Sequence, residues 1–444
     1  MKFIVLTIAG ILLSFGALAH ENLSLRQCVQ MAVERNSNVE KTRIDVEKSG
    51  FKVEETRAAL LPKVSINGGF TDFTEKSKTL LPGIIVGRPG ENLAVEMGAQ
   101  FNTNASVNIT QVLYNQSALT ALKIARQLEA MSELGVTKAS EALAAEISKL
   151  YFLAVTTAKQ QTLIDENIAR VKRLSDIIQL LVENGMGRET DFERIRVSLE
   201  NLYTQQSNTN AIYEQQLNMI KYILEIPLTE TVVLTDSAEM PLLLQSPALL
   251  TNFSGHIDIQ MLEAQKKMNV LNESQIRAGY RPTVALVGSY GYTGYREEFR
   301  NYFRNSPENN WYSSSYIGLS LSIPLFDGFD RRSKLKQARL DYRKTTMTLD
   351  NTKELFTANY QNAMNNYYNH HNNVERQKKN IALAGKVYQE TALKYREGLA
   401  TMSELLQDEL GLNNAQAAYL NALYNFKESE LNMMALNGDI SRLF

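Results

Sequence analysis

Four stretches of the chain alternate between apolar and small polar side chains with a period of two. Val64, Ile66, Gly68 and Phe70 interleave with Ser65, Asn67, Gly69 and Thr71. Ala105, Val107 and Ile109 interleave with Ser106, Asn108 and Thr110. Val284, Leu286, Gly288, Tyr290 and Tyr292 form a third, less regular run, and Ile317, Leu319, Leu321 and Ile323 a fourth, against Gly318, Ser320 and Ser322. That alternation predicts half-buried strands at about 64–71, 104–113, 283–292 and 316–326. Long polar segments, Asp72 to Asn104 and Gly294 to Ser315, join the members of each pair, and the second is crowded with Tyr302, Phe303, Trp311 and Tyr312.

Elsewhere the period is helical. No proline occurs from 90 to 226 or from 325 to the end, so neither span carries the residue that breaks a helix interior. Ile164, Ile168, Val171, Ile178 and Val182 follow a 3–4 spacing interrupted by Ser175. Phe192, Leu199, Tyr213 and Ile220 lie on a seven-residue ladder with Gln206 on the missing rung; Leu405, Leu412, Tyr419, Phe426 and Met433 continue that ladder in the second half. A seven-residue apolar repeat predicts coiled-coil-like seams. The helical patterns from Ser117 to Asn184 and from Arg331 to Glu397 are each on the order of 100 Å long, at about 1.5 Å per residue, which suits an elongated assembly.

The two halves repeat one another. Leu60-Leu61-Pro62-Lys63-Val64 returns as Tyr280-Arg281-Pro282-Thr283-Val284, and Gln111-Val112-Leu113-Tyr114-Asn115 as Ile323-Pro324-Leu325-Phe326-Asp327. Glu183-Asn184-Gly185 returns as Arg396-Glu397-Gly398, 213 positions later. The expected organisation is a first repeat over 20–240, a linker over 241–255 within the Pro- and Ser-rich Asp236–Gly255 stretch, and a second repeat over 256–444. Each repeat runs helix, two strands, long helix, turn, helix. Lys2, the apolar run Ile4–Phe15 and Ala17-Leu18-Ala19 read as a secretory signal over 1–19; a membrane-spanning anchor is the lesser alternative, because the run is short of the roughly 20 residues a spanning helix needs.

Composition narrows the function. Net charge is −1 with acids and bases interspersed, which argues against a nucleic-acid partner. Mean hydropathy is −0.25, and no later run matches a spanning helix, so a membrane crossing would have to use strands. Runs of about ten residues suit tilted transmembrane strands with aromatic ends, and they also suit the edge of a soluble β-sandwich. In lipid, four strands cannot close. Two copies would give eight strands and three would give twelve, and the small polar faces favour three, with a lumen. The single cysteine, Cys28, has no partner for an intramolecular disulfide and no lipobox before it; burial is expected and lipidation is not. His370-His371 reads as solvated surface rather than a metal site, and His256 as surface or cap. No hydrolase, nucleotide or zinc motif is present, so neither enzyme chemistry nor a cofactor is expected. A secreted, soluble coiled-coil structural or adhesive protein remains the alternative.

The Ala58-Ala59-Leu60-Leu61-Pro62 approach to the first strand resembles that of TolC-like outer-membrane efflux proteins. So do the Pro324-Leu325-Phe326-Asp327-Gly328 exit from the last strand and Tyr395-Arg396-Glu397-Gly398-Leu399-Ala400-Thr401 followed by Glu404-Leu405-Leu406. The resemblance covers nearly all of the chain after residue 19. It implies an α+β membrane protein: a homotrimer with a 12-stranded transmembrane β-barrel, four strands per protomer, continuous with a periplasmic α-helical barrel. It implies a passive exit duct in outer-membrane lipid for a tripartite efflux or type I secretion system, working with a periplasmic adaptor (membrane fusion) protein and an inner-membrane pump.

The same resemblance supplies site candidates. Glu404 takes the place of an acidic residue at the tip constriction, Asp191 is its counterpart in the first half, and Tyr395 takes a position that restrains the closed tip. Where the family often has a second acid this chain has Gln407, with Asp408 beside it. The turns Gly185-Met186-Gly187 and Gly398-Leu399-Ala400 would be docking points for the adaptor. From the residues themselves, Thr401-Met402-Ser403-Glu404 also reads as a capping box, and both glycines as helix ends.

Overall fold

The computed structural model describes residues 21–87, 90, 92–239, 253–304 and 310–444. The expected signal over 1–19 and the linker residues 241–252 lie outside the described residues. In chain order the elements are β1 (Glu21–Leu23), α1 (Leu25–Arg35), α2 (Ser37–Ala58), β2 (Lys63–Asp72), β3 (Lys78–Pro82), β4 (Asn92–Glu96), β5 (Phe101–Asn115), α3 (Gln116–Glu183) and α4 (Glu189–Leu224). Then follow β6 (Val232–Leu234), α5 (Ile257–Ala278), β7 (Thr283–Arg296), β8 (Trp311–Ser322), α6 (Asp330–Arg396) and α7 (Met402–Asn437). Matched elements of the two halves are almost equal in length: α3 and α6 have 68 and 67 residues, α4 and α7 have 36 each, and α2 and α5 have 22 each.

The chain divides into two compact units. One holds residues 47–130 and 264–346, and its centre is an antiparallel sheet in the order β2-β5-β7-β8. The pairing puts the apolar positions of all four strands in common rows: Val64 faces Ile109, Ile109 faces Gly288, and Gly288 faces Ile317. On the other face Asn67, Ser106, Gly291 and Ser314 form a matching polar row. Residues directly opposite in a sheet share a face, so the alternation in each strand becomes one apolar and one polar surface. Both surfaces are open in the single chain: every residue of β2 and nearly every residue of β8 is exposed.

Three details depart from the sequence reading. The 72–104 segment contains a hairpin, β3 with β4, pairing Lys78 with Glu96 and Pro82 with Asn92. Strand β8 begins earlier than 316, at Trp311, and stops at Ser322, because Pro324 has no N–H to continue the ladder. Asp236, read as part of the linker, belongs to the core: its Oδ2 accepts from the Leu25 amide and from the Tyr151 hydroxyl, both at 2.7 Å.

The second unit comprises the described residues of 1–46, 131–263 and 347–444. Its larger core gathers Cys28, Val29 and Ala32 of α1 with Ile147 and Tyr151 of α3, Ile220 and Leu224 of α4, and Leu431 and Met433 of α7. Cys28 is fully buried there. β1 and β6, which no periodicity announced, form a short parallel pair beside this core. Of the two readings for His256, surface or cap, the cap holds: its Nδ1 accepts from the Asp258 amide at the start of α5, and its half-buried ring lies tilted 4.3 Å from the Phe356 ring.

Tight packing inside the sheet gives a direct test. A Cβ at Gly291 would lie 2.8 Å from the Ala105 carbonyl oxygen and 2.8 Å from the Ser106 Cβ, whereas one at Gly318 would meet nothing within 4 Å. Gly291→Ala should lower stability by about 1–3 kcal/mol in detergent unfolding, and Gly318→Ala should be near neutral.

Candidate functional site

The long helices end in the same way. After α3, the Gly185 amide bonds to the Val182 carbonyl at 2.9 Å and the Met186 amide to the Leu181 carbonyl at 2.8 Å. After α6, the Gly398 amide bonds to Tyr395 at 3.0 Å and the Leu399 amide to Lys394 at 2.8 Å. Each is a Schellman ending, and each requires a left-handed residue, Gly185 at φ 72° and Gly398 at φ 73°. Gly187 has a different reason to be glycine: a Cβ would sit 2.9 Å from the Val182 nitrogen. Met186 and Leu399 are left exposed at the two turn apices.

The returning helices begin differently. Thr401 caps α7 with a complete capping box: its hydroxyl accepts from the Glu404 amide at 3.3 Å, and Glu404 Oε2 accepts from the Thr401 amide at 2.7 Å. These bonds, from the Thr401 backbone and then its hydroxyl, hold the Glu404 carboxyl below the usual carboxylate range, and Lys394 adds to the effect. At the equivalent start of α4, Arg188 makes no side-chain cap, and Asp191 lies half-buried in the first turn. Burial raises the Tyr395 phenol and the Asp191 carboxylate nearby raises it further, so Tyr395 stays protonated beside that acid.

Around these turns lies a second core. Ile164, Ile168, Val171 and Ile178 of α3 pack with Ile195 and Leu202 of α4 and Met402 of α7, and the equivalent pair Val182 and Tyr395 both lie against this cluster. The structure therefore gathers Tyr395, Met402 and residues of both halves into one cluster. A cavity of about 820 Å³ takes in Met186, Tyr395, Gly398 and Ala400 together. Asp408 is half-buried, and the residue beside it, Glu409, is buried.

Glu409 anchors a group that the sequence reading missed. Its Oε1 and Oε2 accept from Arg170 Nη2 at 3.0 Å and Nε at 3.1 Å, a two-pronged pair joining α3 to α7. The Glu409 side chain is 4% exposed and that of Arg170 24%. Asn167, hydrogen-bonded to Arg170, Asn413 and Gln416, extends the contact, and the Tyr388 ring covers the guanidinium with its centroid at 5.3 Å. The signal was in the ladder. Leu405, Glu409, Leu412, Gln416 and Tyr419 follow a 4–3 spacing, so an acid and an amide occupy seam positions where apolar residues are expected. No cluster of His, Cys, Asp and Glu able to hold a metal occurs among the described residues, and no described helix is long and apolar enough to cross a membrane.

The family profile for outer membrane efflux proteins matches residues 28–224 and again 256–439. The chain belongs to that family. It is similar to the outer membrane protein TolC of Escherichia coli K12, with 22% identity over 99% of this chain and 87% of that protein. TolC of Vibrio cholerae is 20% identical over 88% of this chain and 84% of that protein. Among solved structures, the open-state MtrE channel of Neisseria gonorrhoeae superposes with a TM-score of 0.74 at 17% identity, covering 93% of this chain and 88% of that one. VceC of Vibrio cholerae gives 0.71 at 13% identity over 93% and 96%. This outer membrane efflux protein thus has the family's fold, with the sheet unit as its β-barrel part and the helical unit as its periplasmic part. One of the profile's two matches falls in each half of the chain.

Two outcomes follow. Glu409→Ala leaves Arg170 without its carboxylate and should cost about 1–3 kcal/mol in unfolding, while removing the exposed partner of Lys149 by Glu428→Ala should cost under about 1 kcal/mol. The Glu404 carboxyl is depressed in the folded chain, so its capping contribution is present above the ordinary carboxylate value of about 4.3 and is lost as pH falls through the folded value. Amide-exchange protection at Thr401, whose N–H the Glu404 carboxylate accepts, should therefore drop on acidification, whereas protection at Glu404, whose N–H the Thr401 hydroxyl accepts, should be lost in Thr401→Ala already near neutral pH.

Proposed function

We propose that three copies of this chain form an outer-membrane exit duct of a tripartite efflux or type I secretion system. The observation that carries this reading is the sheet with two chemically distinct faces and two unpaired edges. Among the described residues β2 pairs only with β5 and β8 only with β7. In hydrocarbon each unpaired backbone group costs several kcal/mol, so β8 of one copy must pair with β2 of the next until the ring closes. Three copies of a four-stranded sheet give twelve strands, enough to enclose a lumen lined by the polar rows, with the apolar rows facing lipid. The energy for transport comes from an inner-membrane pump reached through a periplasmic adaptor, with the exposed turns Gly185–Gly187 and Gly398–Ala400 as docking points. Glu404, Asp191, Tyr395 and Asp408 form the periplasmic gate, the carboxylates favouring cations.

Substitutions in β8 test the barrel. Ile317→Arg, on the apolar face, should cost about 2–4 kcal/mol near mid-membrane and reduce the assembled trimer seen on unheated gels. Ser314→Arg, on the polar face, should leave assembly intact and shift single-channel selectivity toward anions. Recovery of the chain solely in the soluble periplasmic fraction contradicts the duct. Unchanged cation preference in Glu404→Gln contradicts the gate assignment alone.

A further inference from the structure

The cavity between α3 and α6, beside the two turns, has a composition that gating and turn geometry leave unexplained. Its volume is about 820 Å³, within the roughly 300–1,000 Å³ of small-molecule sites. Three guanidiniums line it, Arg170, Arg173 and Arg396, and no carboxylate does. Arg170 is held in place by Glu409, but its Nη1 has no hydrogen-bond acceptor among the described residues. Neither Arg173 nor Arg396 has a carboxylate partner among the described residues. Burial and then the Glu409 carboxylate push the Tyr388 phenol up, while Arg170, Arg396 and Arg173 each oppose that rise, which places the three positive charges around one phenol ring. Apart from Gln389, Tyr388 and Tyr395 the remaining wall is apolar, with Ile177 and Leu393 47% and 58% exposed.

A concave, largely apolar surface carrying guanidiniums in excess of carboxylates, here Arg173 and Arg396 beside the Glu409-paired Arg170, concentrates anions, and the planar donor fork of arginine matches carboxylate and sulfonate oxygens. We propose that this cavity is a binding site for an amphipathic organic anion. An aromatic or aliphatic body lies against Ile177, Leu393 and the Tyr388 ring, and an acidic head meets Arg173, Arg396 and the free Nη1 of Arg170. The lining belongs to both halves of the repeat, α3 from the first and α6 from the second. A bound anion therefore bridges the halves next to Tyr395, and where the duct reading holds, occupancy alters conductance.

The test uses the full-length assembled protein in lipid nanodiscs and 2-naphthalenesulfonate as a fluorescent probe, with empty nanodiscs as the blank. Saturable binding is expected, weakened at least about tenfold by the double substitution Arg173→Gln with Arg396→Gln, and weakened likewise when salt rises from about 0.05 to about 0.5 M. Both positions are exposed, so unheated gels should show unchanged assembly. The neutral 2-naphthalenemethanol should bind at least about tenfold more weakly, and inorganic sulfate at equal concentration should not compete, since it lacks the apolar body. Absence of saturable binding overturns the proposal, as does equal affinity in the double variant. Equal affinity of the neutral analogue, or a neighbouring copy's side chains filling the cavity in the assembled protein, overturns it as well. Binding is read without any current, so its failure is distinct from failure of the duct. A separate bilayer recording, with the sulfonate added on the turn side, should show a dose-dependent current change that the double variant lacks.

Discussion

An open sheet edge in hydrocarbon has no water to satisfy its N–H and C=O groups, and that constraint organises this molecule. The single chain ends its sheet on β2 and β8, ten and twelve residues long, each with one side of its ladder unpaired. Soluble proteins blunt such edges with charges, prolines or short strands. Here β8 presents Ile317, Leu319 and Leu321 on one face and carries no charged residue. The edges are built to be paired, so assembly and membrane insertion are parts of one folding problem. The segments around the sheet add local order: Lys76 pairs with Glu297 at 2.5 Å, and the rings of Phe70, Phe101, Phe299 and Tyr302 cluster next to it.

Duplication supplies the rest economically, and the two copies have diverged where chemistry is needed. Both long helices use the same Schellman ending on a left-handed glycine. The returning helices part company at once: Thr401 and Glu404 form a closed capping box, while Arg188 and Asp191 do not. They differ again at their far ends, where Gly438 takes the left-handed position that Glu225 occupies 213 residues earlier. A side chain at positive φ carries strain of about 1–2 kcal/mol. Glu225 offsets it by accepting from the Ser37 amide at 2.6 Å and from the Ser37 hydroxyl, which ties the end of α4 to the start of α2. The Arg170–Glu409 pair, by contrast, joins one half to the other, so it works against independent motion of α3 and α7.

Much of the fold was legible because two periods are hard to confuse over long runs. Strict alternation in β2 and β5 and the proline-free spans of α3, α4, α6 and α7 located the main elements within a few residues. The missed pieces are short or depend on distant partners. The β3–β4 hairpin has five-residue strands with no lasting alternation, and β1 with β6 is three residues wide. Asp236 looked like linker because its two donors, Leu25 and Tyr151, lie 211 and 85 residues away. His256 could be read as surface or cap; the cap acts over two residues, but nothing in its neighbourhood names Phe356 as its cover. At the turns, the Thr401–Glu404 cap could be read locally, since capping acts over three residues. The Arg170–Glu409 pair left only an odd acid in a seam.

By itself the sequence determined the repeat, the long helices and the four strands of the main sheet, the cap, the left-handed turns and the two-faced character of those strands. These rest on interactions within about seven residues, where spacing is enough. Only the tertiary structure decided that the apolar rows of four strands fall on one face, because register depends on which residues meet across strands. The same holds for Glu409 finding Arg170 rather than water, and for three guanidiniums gathering around Tyr388. A charge in a seam is a defect or a clamp according to what packs against it, and that is settled only when helices distant in sequence come together.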